Sequence, residues 1–355
     1  MGGPGDPPEG LPEGAPGGGE DEYRSVVFDE SFVRAARLQE YSAQERMADH
    51  APAVRRRPLL HRALPRQALI LVLLIAVAFA TAIYMGVRHP YQAPRAQAVE
   101  PLRMTVIPLA PQSAVPGATD PEELYAHSPA AQFRVGAQGI TFPAARRTAH
   151  FSESQVYAAL TNAKNYLVAS SLDPAVLTGG AVRPVRLLLD AQQLDQFDQS
   201  FSHPASDGRH AATGWLVRFD PARARLADQN IRVQGRLQAT EADSDTLEVS
   251  ADHTVVYALK PAGSDAKAKA SLFTVRRQLT FRFDRDDLRL DQAELVAAYV
   301  QAGPLACAED TASHLRPLLA GQTAKAGGPA GTDPFATGSA TALCGTLSAS
   351  AEPKV

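Results

Sequence analysis

The chain has 355 residues, a formal net charge of -3, and 45% hydrophobic against 21% charged side chains. That balance excludes a polycation gripping nucleic acid by overall charge, and equally a chain too polar to bury a core. A Gly/Pro-rich leader, one long apolar run and a Gly/Ala-rich end shorten the foldable part to one well-buried domain.

Residues 1–66 read as a tail on the inner side of a membrane. Met1 to Gly19 is Gly/Pro-rich with scattered Glu and cannot offset its own ordering entropy. Within the tail, FDESFVRAARLQEYSAQERM predicts a helix over 28–48. Asp29 supplies an N-cap, and Glu30 stands where the helix dipole favours negative charge. Phe28, Phe32 and Tyr41 gather towards one side, and Pro52 ends any helix that reaches it. A lone helix of this length is marginal in water. One reading makes it a docking helix whose aromatic side fills a groove on a cytoplasmic protein. The other leaves it transient, or lying on the inner leaflet without the basic polar face of a strong membrane-surface helix.

Residues 67–87 form the apolar run. ALILVLLIAVAFATAIYMGV is free of charge over the ~20 residues a helix needs to cross a hydrocarbon core. Ala78-Phe79-Ala80 fits a small-x-small cleavage pattern. The long preceding chain and the continuing run favour an uncleaved anchor instead. Arg55, Arg56, Arg57, Arg62 and Arg66 precede it, while Arg88, Arg95 and Arg103 follow less densely. The bias puts the N-terminus in the cytoplasm and the C-terminal part outside. Cys307 and Cys344 both fall on that outer side, where a disulfide persists.

Residues 88–130 are a Pro/Ala-rich linker, with Met104 to Leu109 either a short strand or simply extended. Residues 131–318 carry the regular signals. FRVGAQGITFP suggests a short strand or hairpin around Gly136 and Gly139. Ser152 and Gln155 form a capping-box pattern, and Val156, Ala159, Leu160, Ala163, Tyr166 and Leu167 then recur at helical spacing to about Ser170. A short helix follows from Leu172 to Gly179, and a third is expected over Val185 to Phe201. After His210 the period becomes two. TGWLVRF, NIRVQGRLQA, TLEVSADHTVVYAL, LFTVRRQLTFRF and AELVAAYVQA read as five strands with one buried and one wetter face. Residues 319–355 are Gly/Ala-rich, tied back by a Cys307–Cys344 disulfide worth roughly 3–4 kcal/mol by loop entropy.

Helices followed by antiparallel strands define an α+β domain with helices packed on one face of a curved sheet. This element order, over Phe133 to Gln301, resembles the nuclear transport factor 2-like (cystatin-like) cone fold. The stretches YRSVVFDESFVRAARLQEYSAQERM, LTFRFDRDDLRLDQAELVAAYVQAGPLACAED and RPLLAGQTAKAGGPAGTDPFATG resemble single-pass membrane proteins of actinobacteria. Neither resemblance carries an activity to this chain.

Chemistry-bearing motifs are scarce. Ser264-Asp265-Ala266-Lys267 has S-x-x-K spacing, but it lies in a turn and no K-T-G accompanies it. Gly327, Gly328 and Gly331 lack the Lys of a phosphate loop. The histidines lack zinc-ligand spacing. Asp284-Arg285-Asp286-Asp287 reads as a charged turn rather than a calcium loop. His253, with Asp190 or Asp252, is the one candidate acid–base pair facing a cone interior. The other reading makes it a satisfied or solvent-facing histidine. We therefore expect no catalytic residue, cofactor or metal. The expected function is a non-enzymatic binding or scaffold module of the cell envelope. Its outer domain would bind a protein or cell-wall ligand, and its tail a cytoplasmic protein. An enzyme acting on a small envelope molecule, or an assembly subunit of a secretion, conjugation or division complex, are the alternatives. An enzyme requires a deep pocket around His253 and Tyr257. A binding module requires a filled interior and an available outer surface.

Overall fold

A computed structural model describes residues 38–40, 44, 47, 54–56, 66–88, 100–324, 334–335 and 344–355. The chain divides into two compact units, Met1–Ala93 and Pro94–Val355.

In the first unit, β1 (Leu38–Glu40) pairs antiparallel with β2 (Val54–Arg56). This corrects the expected helix 28–48 at its middle, although Gln44 and Met47 are helical. An isolated helix gains little from packing, so a short local pairing can displace part of it. Helix α1 (Arg66–Arg88) holds the apolar run, and its side chains from Leu69 to Tyr84 are exposed. Among the described residues no helix is long and apolar enough to cross a membrane. Arg55 and Arg56 lie in β2 and Arg66 opens α1. Phe28, Phe32, Tyr41, Arg57 and Arg62 lie outside the described residues.

The second unit is α+β. Strand β3 (Arg103–Ala110) leads into α2 (Pro121–Ala126), a two-residue strand β4 (Arg134–Val135) and a 3-10 turn at Gly136–Gly139. The hairpin expected around these glycines is therefore one short strand and a turn. Helix α3 (Glu153–Ser171) begins at the expected capping box: the Gln155 amide donates to Ser152 Oγ at 3.3 Å and the Ser152 amide to Gln155 Oε1 at 2.8 Å. Short α4 (Pro174–Leu177) ends before Gly179, whose φ of +75° suits a residue without Cβ.

The third expected helix is broken into α5 (Arg183–Arg186), a 3-10 turn (Ala191–Gln193) and α6 (Leu194–Ser202). The break serves the sheet. Asp190 caps the turn through the Gln192 amide at 2.6 Å, while Gln193 clasps the Leu295 backbone with bonds of 2.8 and 2.9 Å. Gln196 does the same to Leu102 at 2.8 and 2.9 Å. The expected strand at Trp215 is instead a turn of helix, α7 (Ala212–Trp215). Its terminal carbonyl is engaged by side chains rather than by a strand partner.

Strands β5 (Ala224–Leu226), β6 (Arg232–Glu241), β7 (Leu247–Pro261) and β8 (Ser271–Phe283) follow. Helix α8 (Arg285–Leu290), β9 (Glu294–Gly303) and β10 (Gly345–Thr346) complete the unit. Asp284–Asp287, expected as a charged turn, is the capping box of α8. The strand order is β10-β3-β9-β8-β7-β6-β4, with β5 beside β7. β3 runs parallel to β9 and β10 parallel to β3. The sheet is therefore mixed, not purely antiparallel as expected. The residues read as linker supply an integral strand, and the long return through the helices permits its parallel pairing.

One sheet face packs under α3, α6 and α7. Trp215, Tyr166, Tyr257, Phe197, Phe273 and Phe281 are buried there. Among them lies Arg277, fully buried. Its Nη1 donates to Ser170 Oγ (2.7 Å) and Ser171 Oγ (2.9 Å), and its Nη2 to the carbonyls of Gly214 (3.1 Å) and Trp215 (2.7 Å). No carboxylate touches it among the described residues. Tyr166 donates to Trp215 O at 2.7 Å and Tyr257 to Ser171 O at 2.8 Å, completing the network. The C-terminal end of α3 carries the negative pole of its helix dipole, which suits a cation.

Cys307 and Cys344 are disulfide-bonded, with Cα atoms 5.7 Å apart. The bond holds the last residues where β10 adds to the sheet edge.

Two stability outcomes follow. Arg277→Met is expected to lower unfolding free energy by about 2–3 kcal/mol in urea denaturation, because the Gly214 carbonyl loses its donor in a dry core. Cys307→Ser is expected to cost about 3–4 kcal/mol in the same assay, and reductant should then have no further effect.

Candidate functional site

The interior beneath the helices is closed. His253 is 1% exposed and stands opposite Gly235 on β6 and Arg277 on β8. A Cβ at position 235 would come within 2.4 Å of the imidazole, so the ring occupies the space the glycine leaves. Among the described residues neither ring nitrogen has a hydrogen-bond partner, and neither does Arg277 Nε. The space between His253, Arg277, Leu167 and Ile140 is about 10 Å³, room for about one water molecule. Tyr257 is sealed against Phe219, ring centroids 5.2 Å apart. Burial pushes the His253 imidazole down to about 4, against a weaker opposing pull from Asp252. It is a neutral core residue at pH 7.

The proposed His253–Asp252 pair is not assembled, because adjacent strand residues point to opposite faces. Asp252 faces outward and accepts from Arg276 Nε (2.9 Å) and Nη2 (2.8 Å). Burial would raise its carboxyl, but the Arg276 bonds outweigh this and hold it below the usual carboxylate value. Asp190 is spent on capping. Burial, with help from Asp284 and Asp190, raises the neighbouring Asp287 carboxyl. Among the described residues no group of three His, Cys, Asp or Glu is placed to hold a metal.

The outer face of the same sheet is open at one end, while at the other Val256, Ala258 and Leu272 are buried under Leu124 and Tyr125 of α2. Strand register places its side chains in rungs. One runs Arg236, Asp252, Gln278, Tyr299 and Thr105 across β6, β7, β8, β9 and β3. The next runs Gln238, Ser250, Thr280, Ala297 and Arg103. Together they floor a trough of about 670 Å³. Arg236, Gln238, Ser250, Thr105 and Arg103 are exposed. Arg236 forms no ion pair or hydrogen bond among the described residues. Arg103 has only an exposed contact to Glu100 at 3.4 Å, of a kind worth little.

The following rung, Gln234, Thr254, Arg276 and Gln301, is partly roofed. Thr254 Oγ1 donates to Pro334 O at 3.1 Å, and Phe335 packs edge-on to Phe133 with centroids 5.8 Å apart. The C-terminal segment thus covers one end of the outer face and leaves the trough beside it uncovered. The wetter face is legible in the period-two strands. The trough is not, because Met104 to Leu109 reads equally as a short strand or an extended segment and the roof lies far along the chain.

Comparison with protein-family models, with curated proteins and with solved structures finds no match to this chain.

Stability should depend on pH through His253. Its folded-state pKa lies below the ordinary 6.5, so the unfolded chain binds the proton more readily. The contribution is complete above about pH 6.5 and is lost as pH falls towards 4. Denaturant melts at pH 7 and 4.5 should show the native chain losing about 2–3 kcal/mol more than His253→Leu does.

Proposed function

We propose that the chain is a single-pass envelope membrane protein whose α+β domain is a non-enzymatic binding module. In this reading α1 is the membrane anchor, the tail before it is cytoplasmic and Pro94–Val355 is extracytoplasmic. The observation that carries the binding reading is the filled interior at His253, set against an open polar trough on the opposite sheet face. A substrate has no room where the one candidate acid–base residue stands.

Three features support the topology. The apolar run in α1 has a denser cluster of Arg before it than after it. The exposed apolar side chains from Leu69 to Tyr84 favour a hydrocarbon surrounding over water. The sole cysteines pair in the second unit, as suits an oxidising compartment. The order of helices before the β6–β9 strands supports the likeness to the nuclear transport factor 2-like fold. The tail's aromatic residues Phe28, Phe32 and Tyr41 are its docking element for a cytoplasmic protein.

Protease added to intact cells of the native host should degrade a C-terminal epitope tag and spare an N-terminal one. The opposite pattern, or recovery of both tags in the soluble fraction, rejects the topology. A tail bait of residues 1–66 should retain a host protein that is lost when Phe28→Ala, Phe32→Ala and Tyr41→Ala are combined. Equal recovery with both baits removes the docking role.

A further inference from the structure

The chemistry of the trough narrows what it takes, on the premise that the domain is a binding module. Its side-chain floor is built from groups that both donate and accept: Gln238, Gln278, Ser250, Thr280, Thr105 and Tyr299. The apolar residues that border it, Met104, Ala251, Leu279 and Ala298, are themselves buried in the core. No Trp, Phe or Leu side chain stands exposed on its floor. A protein partner is ordinarily held by desolvated aromatic, aliphatic or Arg anchors seated in pockets, and a lipid by apolar area. The trough's two arginines stand exposed rather than seated in pockets, and no large aliphatic side chain is exposed on its floor. The trough suits a ligand covered in hydroxyl groups.

Charge then selects among such ligands. Among the described residues Arg236 makes no ion pair at one end, feeling only the field of Asp252 across the strand, and Arg103 at the other is loosely held by Glu100. Asp252 is already neutralised by its two bonds from Arg276. The two outer arginines are four strand spacings apart, about 19 Å along the sheet. That separation fits an extended chain with repeated negative groups better than a single small anion. Planar guanidinium groups pair with carboxylates through two parallel bonds.

We propose that the outer sheet face binds an acidic oligosaccharide laid across the strands, its carboxylates on Arg236 and Arg103 and its hydroxyls on Gln278, Ser250 and Thr280. The test is calorimetric titration of the full chain in detergent at low salt. The probes are a galacturonic acid hexamer, the neutral glucose hexamer and a glutamate hexapeptide. The acidic sugar should bind, the neutral sugar should be undetectable, and the peptide should be clearly weaker. Arg236→Gln and Gln278→Ala should each weaken the acidic sugar about tenfold. Unchanged melting temperatures in both variants would show that the fold is intact. Equal or tighter binding of the glutamate peptide, or indifference to both substitutions, overturns the proposal.

A photo-crosslinking side chain at Ser250 in host cells separates this failure from a wider one. Cross-linking to polysaccharide supports the proposal. Cross-linking to polypeptide overturns it while the binding-module reading stands. No cross-link, with no heat from the acidic sugar, removes both.

Discussion

The fully buried guanidinium of Arg277 constrains everything above the sheet. A cation in that position is tolerable only if its donors meet acceptors of fixed geometry. Those acceptors come from the end of α3 and from α7, two segments far apart in sequence. Burial works against the charge and pulls the guanidinium below its ordinary value. The oriented carbonyls and hydroxyls answer it in place of a counter-ion. Because they cannot move without orphaning the charge, helix, turn and strand are locked in one mutual placement. The Tyr166 hydroxyl closes on the Trp215 carbonyl that Arg277 also holds, and the Tyr257 hydroxyl on the carbonyl of Ser171, which leaves little room for an alternative packing.

That lock decides where ligand chemistry can occur. A helix layer held this tightly seals the face on which sequence reasoning looked for a pocket. His253 is then a space-filling ring over Gly235 rather than a reagent. The opposite face is covered where α2 packs Leu124 and Tyr125 onto Val256, Ala258 and Leu272 and where the C-terminal segment crosses it, and is open between β6 and β3 at the trough. The binding reading proposed above places function on the outside of the sheet because the interior is committed to holding the fold together.

Much of the architecture was legible from local signals. The capping box at Ser152 and the apolar spacing behind it located α3 almost to the residue, and the period-two pattern located β6 to β9. What escaped were features that depend on distant residues. TGWLVRF has strand-like alternation, yet Trp215 ends a helical turn because Arg277 and Tyr166 take its carbonyl. Val185 to Phe201 has helical composition, yet it breaks so that Gln193 can serve the backbone of Leu295. Met104 to Leu109 gave only a weak strand signal between prolines, because its partner β9 lies at the other end of the domain. The outer trough was illegible for the same reason: its residues come from five strands, and only register brings them into rungs. The tail helix shows the complementary limit, where local preference without a packing partner does not settle the conformation.

The place of β3 has a consequence for how the domain is completed. β3 is the first strand of its unit, yet it is held between β9 and β10, which come last. A chain leaving a ribosome or a translocation pore N-terminus first therefore exposes β3 long before either neighbour exists. Until β9 emerges, both edges of β3 and one edge of β8 are unpaired, and each is a template for wrong pairing. The long sequence separation also makes closure slow. A truncation that removes only the last dozen residues would leave β3 as a naked edge on an otherwise finished sheet.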